Sequence, residues 1–283
     1  MSVDAKKTPI VPVVIIASLF FIFGFVTWIN GSLIPFMKSV CELTDTQAYL
    51  VATASYISFV VMAIPASMIL KKIGYKNGMS VGLFLMALGA LVFIPAAASR
   101  TYLLFLAGIF IQGAGMTILQ TASNPYITIL GPIESAAKRI SIMGICNKIA
   151  GMLGSVIFGF LLLDGMKEVK KKLEDVGITP KDKQQILDTM ADSVVTPYLV
   201  MAGALILLAV LIRYAPLPDI EGAPAAEVAE GETAKTSIFQ YPHLLLGVLA
   251  LFAYVGAEVI AGDTIINYGL SLGIPENEAS FFT

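Results

Sequence analysis

The chain has 283 residues, of which 57% are hydrophobic and only 13% charged, and its formal net charge is -2. Ordinary soluble domains carry about 25% charged residues, so a soluble fold of this size could not bury so much apolar surface. The small net charge gives no electrostatic case for nucleic acid, and one His with two Cys argues against a metal site or a disulfide framework. The composition predicts an all-α integral membrane protein.

Apolar runs give the predicted order of the helices. A helix needs about 20 apolar residues to cross the hydrocarbon core. The first run follows Lys6 and Lys7 and is too long for a signal peptide, so we interpret it as a transmembrane helix. The predicted spans lie near residues 10–37, 46–70, 78–98, 102–130, 140–163, 194–214 and 243–270, and an eighth begins near Pro275 and is cut off at Thr283.

Basic residues in the short loops predict the orientation, because cytoplasmic loops are enriched in Lys and Arg. With the N-terminus in the cytoplasm, the outer short loops contain only Lys38 and Arg100. The segment from Asp164 to Asp192 is then an outer loop with six Lys, which weighs against this orientation, and we expect one or two short surface helices in it. The inner segments contain Lys6, Lys7, Lys71, Lys72, Lys76, Lys138, Arg139, Arg213 and Lys235.

The polar, acidic segment 216–240 has the composition of a disordered linker. It separates a predicted six-helix bundle, 1–215, from the start of a second bundle, 241–283. Phe23–Val26 is similar to Phe252–Val255, and Leu43–Ala48 is similar to Ile274–Ala279. Parallel repeats of six-helix halves are the architecture of major facilitator transporters, so a complete protein needs about four or five further helices.

Polar residues in the fourth span predict a binding face. Gly113, Thr117, Gln120 and Asn124 recur at helical spacing. Pro125 follows, and we expect a helix break there. Amide groups donate and accept hydrogen bonds, which suits sugar hydroxyls. The alternative is that these amides only hold helices together.

The first span has a second polar group, with Thr27, Trp28, Asn30 and Gly31 ahead of Pro35. An aromatic ring beside an amide is typical of sugar sites, where the ring stacks on the sugar and the amide orients it. The alternative is that Trp28 is an interfacial anchor and Gly31 a packing notch.

Charged residues inside spans predict a coupling site. Lys148 lies roughly 14 Å into the bilayer from Arg139, where a Lys normally faces a cavity or a partner. Asn147 adjoins it. Glu258 and Asp263 in the seventh span are candidate partners, with Tyr254 a weaker candidate for stacking. A structural ion pair is the alternative for Lys148 and Glu258, and Asp263 could simply reach outer water.

The run Phe23–Pro35 resembles the first helix of the fucose/galactose/glucose symporters, a branch of the major facilitator superfamily. Leu119–Pro132 resembles that branch's fourth-helix signature, Lys71–Lys76 its second loop, and Tyr254–Val259 its seventh helix. The resemblance implies secondary active uptake of a neutral hexose across a bacterial inner membrane by alternating access, glucose or galactose first. It implies no enzyme activity, no cofactor beyond a coupling H+ or Na+, and a monomer in the lipid bilayer.

Departures from the family pattern concern the coupling ion. Fucose–proton members usually carry Asp at the position of Gly31 and Glu at that of Gln120, and both acids are absent here. Lys148 replaces a small polar residue, and Lys71 stands where an Asp is common. Proton, sodium and no coupling ion therefore all stay open, and fucose, N-acetylhexosamines and efflux of drugs or metabolites are the alternative functions.

Overall fold

A computed structural model describes residues 10–158, 178–218, 240–274 and 279, apart from a few side chains within these ranges. Within this part of the chain, six helical stretches are long and apolar enough to cross a membrane, which confirms the all-α membrane class. The helices are α1 (Ile10–Val40), α2 (Asp45–Ser99), α3 (Tyr102–Ile129), α4 (Ala136–Phe158), α5 (Pro180–Ser193), α6 (Val195–Tyr214) and α7 (Pro242–Ser271), with a 3-10 turn at Ile133–Ser135.

Helix α2 combines two predicted spans, 46–70 and 78–98. It has 55 residues, and a straight helix of that length would extend about 80 Å, more than twice the hydrocarbon thickness. Gly74 interrupts it, with φ 77° and ψ 169°, a conformation that glycine adopts without steric cost. Thr44 begins the helix with a capping box, in which its hydroxyl accepts from the backbone N–H of Gln47 and its own N–H donates to the Gln47 side chain.

Small residues let the second half of α2 lie directly against α3. A Cβ added to Gly82 would lie 2.8 Å from the carbonyl oxygen of Gly115, and one added to Gly89 would lie 2.7 Å from that of Gly108. Such close backbone approach is typical of membrane helix pairs, which gain stability from packing rather than from the hydrophobic effect. The Ser80 hydroxyl donates to the carbonyl of Ala209 and joins α6 to the same assembly.

Helix α5 lies across one end of the bundle and is part of the predicted surface segment, of which residues 164–177 lie outside the described part. Lys183 pairs with Glu42 after α1, and Arg100 after α2 pairs with Asp188 at 3.1 Å. Cys41 in the turn after α1 is a free thiol, as is Cys146. Burial raises the pKa of the Cys41 thiol to about 11, so it is protonated at neutral pH.

The chain divides into two compact units, Met1–Ile220 and Glu221–Thr283. Helices α1 to α6 belong to the first unit and α7 to the second. Residues 219–239 of the predicted linker lie outside the described residues, as does most of the segment from Pro275. The assignment of 1–215, 216–240 and 241–283 as bundle, linker and second bundle stays a prediction.

Candidate functional site

The predicted polar face of α3 runs from a helix interface into an open groove. Gly113 packs so closely on Ser58 of α2 that a methyl group would collide with its hydroxyl. Thr117 is buried and donates to the carbonyl of Gly113 at 2.8 Å. Gln120 is half-buried and Asn124 is exposed. Helix packing therefore occupies the Gly113 end of this face, and the amides of Gln120 and Asn124 remain available for a ligand.

Helix α3 continues past Pro125 and ends at Ile129, so the predicted break at Asn124 is wrong. Pro125 removes only one backbone hydrogen bond, the one that the carbonyl of Thr121 would accept, and membrane helices tolerate such a proline. Thr121 and Thr128 donate back to the carbonyls of Thr117 and Asn124 at 2.7 and 3.0 Å.

A pocket of about 580 Å³ lies beside Asn124 within the first unit. Three helices form it: α1 contributes Phe20, α4 contributes Ile140, and the last two turns of α3 supply the remaining side chains. Its lining is apolar apart from Asn124 and Thr128. An apolar cleft with a few polar groups is the usual form of a small-molecule site.

Arg139 at the start of α4 holds the end of α3 in place. Its side chain is 4% exposed, and its guanidinium donates only to neutral oxygens among the described residues. The sequence predicts only an orientation from Arg139, because a basic residue within the next helix gives no local sign that it reaches back to the end of α3. The acceptors are the carbonyls of Ile127, Thr128, Gly131 and Pro132 and the hydroxyl of Ser135, at 2.6–3.3 Å.

Asn147 faces α1 rather than an empty cavity. Its Nδ2 donates to the carbonyl of Phe20 at 3.2 Å, and Gly24 lies so close to the Asn147 backbone that any side chain would collide. Part of the hydrogen-bonding capacity of this predicted sugar-binding amide is therefore used in holding α4 on α1.

Lys148, one residue further, lies over the indole of Trp28. The ammonium nitrogen is 5.1 Å from the ring centroid, a cation–π contact. A Cβ added to Gly151 would come within 2.8 Å of the indole Cγ and Nε1, so the ring is seated against the α4 backbone. Thr27, beside Trp28, donates to the sulfur of Met116 in α3 at 3.2 Å.

Helix α7 carries the predicted residues of the second unit. Glu258 is half-buried and Tyr254 is 59% exposed. The side chains of Asn30 and Asp263 lie outside the described part of the chain. A contact between Lys148 and Glu258 would join the two units, and it stays a prediction.

The described geometry suits binding of a polar, uncharged ligand. Amides and hydroxyls on α1, α3 and α4 offer donors and acceptors, and a ring and an ammonium lie on the same pair of helices, α1 and α4. The Major Facilitator Superfamily model matches residues 16–282, so the chain belongs to the Major Facilitator Superfamily, whose members are transporters rather than enzymes.

The resemblance to the fucose/galactose/glucose branch is confirmed. The chain is 36% identical over 250 residues to a glucose/galactose transporter of Brucella abortus, covering 88% of this chain and 56% of that protein. It is 33% identical over 280 residues to the L-fucose-proton symporter of Escherichia coli, covering 98% and 63%. The chain thus spans little more than half the length of these relatives.

Solved structures agree with the fold. The crystal structure of the E. coli fucose:proton symporter FucP matches with a TM-score of 0.76 and 29% identity, covering 97% of this chain and 67% of that one. The transporter FucP in the outward conformation matches with a TM-score of 0.77 and 30% identity, with the same coverage.

Proposed function

We propose that the full-length protein takes up a neutral hexose, glucose or galactose first, across a bacterial inner membrane by alternating access. The observation that carries this proposal is the exposed amide of Asn124 at an apolar pocket, with the half-buried amide of Gln120 one turn before it on α3. The relatives named glucose/galactose transporters support the same substrate class. Asn30, Asn147 and Glu258 complete the proposed sugar contacts, with Tyr254 as the candidate stacking ring, whereas Trp28, the other ring predicted to stack on the sugar, lies against Lys148.

L-Fucose is the second candidate substrate, because two relatives are named L-fucose-proton symporters. The experiment is uptake of labelled glucose, galactose, fucose and N-acetylglucosamine into vesicles that contain the full-length protein. Saturable uptake of a hexose supports the proposal. Export of hydrophobic drugs without uptake of any sugar contradicts it, and would favour an efflux pump on the same fold.

The proposed transport is coupled to a cation, H+ or Na+. Lys148 takes the place of a bound cation during part of the cycle, and Glu258 is the carboxylate that responds to it. Concentrative uptake that survives in both Lys148→Ala and Glu258→Gln would contradict this assignment and direct attention to Asp263. We place the N-terminus in the cytoplasm and propose a monomer surrounded by lipid.

A further inference from the structure

Three residues on two helices form one compact group around the indole of Trp28. The Lys148 ammonium lies 5.1 Å from the ring centroid. Gly151, one turn beyond Lys148 on α4, leaves the notch in which the ring is seated. The ring is half-buried and Lys148 is exposed in the first unit. The indole of Trp28 is therefore already in contact with the side chain and backbone of α4.

The polar side of α4 explains why Lys148 lies there. Ser141 and Lys148 share one face of the helix, two turns apart, and both are exposed. The neighbouring face carries Ile142 and Ile149, which are also exposed and suit contact with lipid, and the exposed Met152, one turn after Lys148, lies at the border between the two faces. An ammonium within a membrane normally faces the bundle interior or a water-filled cavity.

The seat of the Trp28 ring depends on glycine at position 151. Gly144 lies two turns earlier on the same face of α4, and a Cβ added there meets no described residue within 4 Å. A Cβ added to Gly151 would collide with the indole. The absence of a side chain is therefore required at 151, where Trp28 needs the space, and not at 144.

We propose that Trp28 is a positioning residue for Lys148: the indole, seated in the notch at Gly151, holds the ammonium on the polar face of α4. This inference rests on the proposed cation-coupled uptake and changes the role of Trp28 within it. The ring acts on the driven step through Lys148 rather than by stacking on the sugar. Cation–π attraction is suited to this task because it stabilises the charge without neutralising it.

Transport by the full-length protein in proteoliposomes tests the proposal. Two quantities are needed for each variant: the KM for sugar exchange without any ion gradient, and the accumulation of sugar under a gradient. Trp28→Leu and Gly151→Ala should lower accumulation at least about fivefold, the loss expected from one cation–π contact, with the exchange KM within about twofold of wild type. Trp28→Phe should retain most of the accumulation, and Gly144→Ala, the matched control, should behave as wild type. If Trp28→Leu raises the exchange KM as much as it lowers accumulation, the ring binds the sugar and the proposal is wrong.

A second measurement does not depend on the substrate. Trp28 is the only tryptophan of the 283 residues, and its fluorescence can be isolated in a full-length protein by replacing any further tryptophan with Phe. An ammonium close to an indole alters its emission, so Lys148→Met should change the emission intensity or maximum. Lys138→Met, which removes an exposed charge at the start of α4, should leave the spectrum unchanged. Identical spectra for wild type and Lys148→Met would overturn the proposed contact, even in a protein that transports hexoses. A spectral change in a protein that transports no hexose would support the contact and overturn only the proposed function.

Discussion

The side-chain amide of Asn147 donates a 3.2 Å hydrogen bond to the backbone carbonyl of Phe20, across an interface where α1 and α4 are in backbone contact at Gly24. A membrane offers no water to the Asn147 amide, so a hydrogen bond across the helices satisfies one of its donors and adds to the packing energy. The bond orients Asn147 and leaves Lys148, its neighbour, against Trp28.

The first prediction concerns stability and follows from the close contact at Gly24. Gly24→Ala should destabilise the full-length protein by about 1–3 kcal/mol, the usual cost of forcing extra atoms into a packed interface. Gly144→Ala is the control, because α4 has open space there. Unfolding in mixed detergent, followed by circular dichroism, measures both. Equal stability of the two variants would contradict the close α1–α4 packing.

The second prediction concerns the hydrogen bonds that Arg139 donates to the end of α3. Arg139→Lys removes the planar donor set that satisfies the carbonyls at the end of α3, and a Lys can satisfy only some of them. The variant should lose at least about 3 kcal/mol of unfolding free energy, because hydrogen bonds from charged groups are worth about 1.5–3 kcal/mol each. Its exposed neighbour offers the control, Lys138→Gln, which should change stability by less than about 0.5 kcal/mol. An Arg139→Lys variant as stable as this control would show that the cap does not stabilise the turn.

The third prediction concerns the buried side chain of Gln112. Its side chain is 2% exposed, and its Nε2 has no hydrogen-bond partner within the described residues. A buried polar group without a partner costs about 1–3 kcal/mol, so Gln112→Leu should leave stability unchanged or raise it, with no effect on sugar affinity. A loss of more than about 1 kcal/mol in the unfolding free energy would mean that Gln112 has a polar partner in the complete protein.

The sequence predicts the membrane spans more directly than the packing between them, for a physical reason. Span positions depend on the length of apolar runs, a local property, and α1, α3, α6 and α7 match their predicted runs closely. The role of Gly113 depends on which helix packs against it, and the sequence does not show that Ser58 lies opposite. The pairing of Trp28 with Lys148 depends on how α1 and α4 face each other, and no spacing within one helix shows that.

Gln120 is the residue on which the proposed function depends most directly. It is half-buried on α3, close to the open end of the predicted polar face. In a folded full-length Gln120→Ala protein, the affinity for the transported hexose, measured by isothermal titration calorimetry, should fall about 5- to 150-fold, because losing a buried hydrogen-bond partner costs about 1–3 kcal/mol. Gln112→Leu, which changes an amide at the α2 interface, should bind the same sugar with wild-type affinity. Wild-type affinity in Gln120→Ala would contradict the account and assign this face of α3 to helix packing.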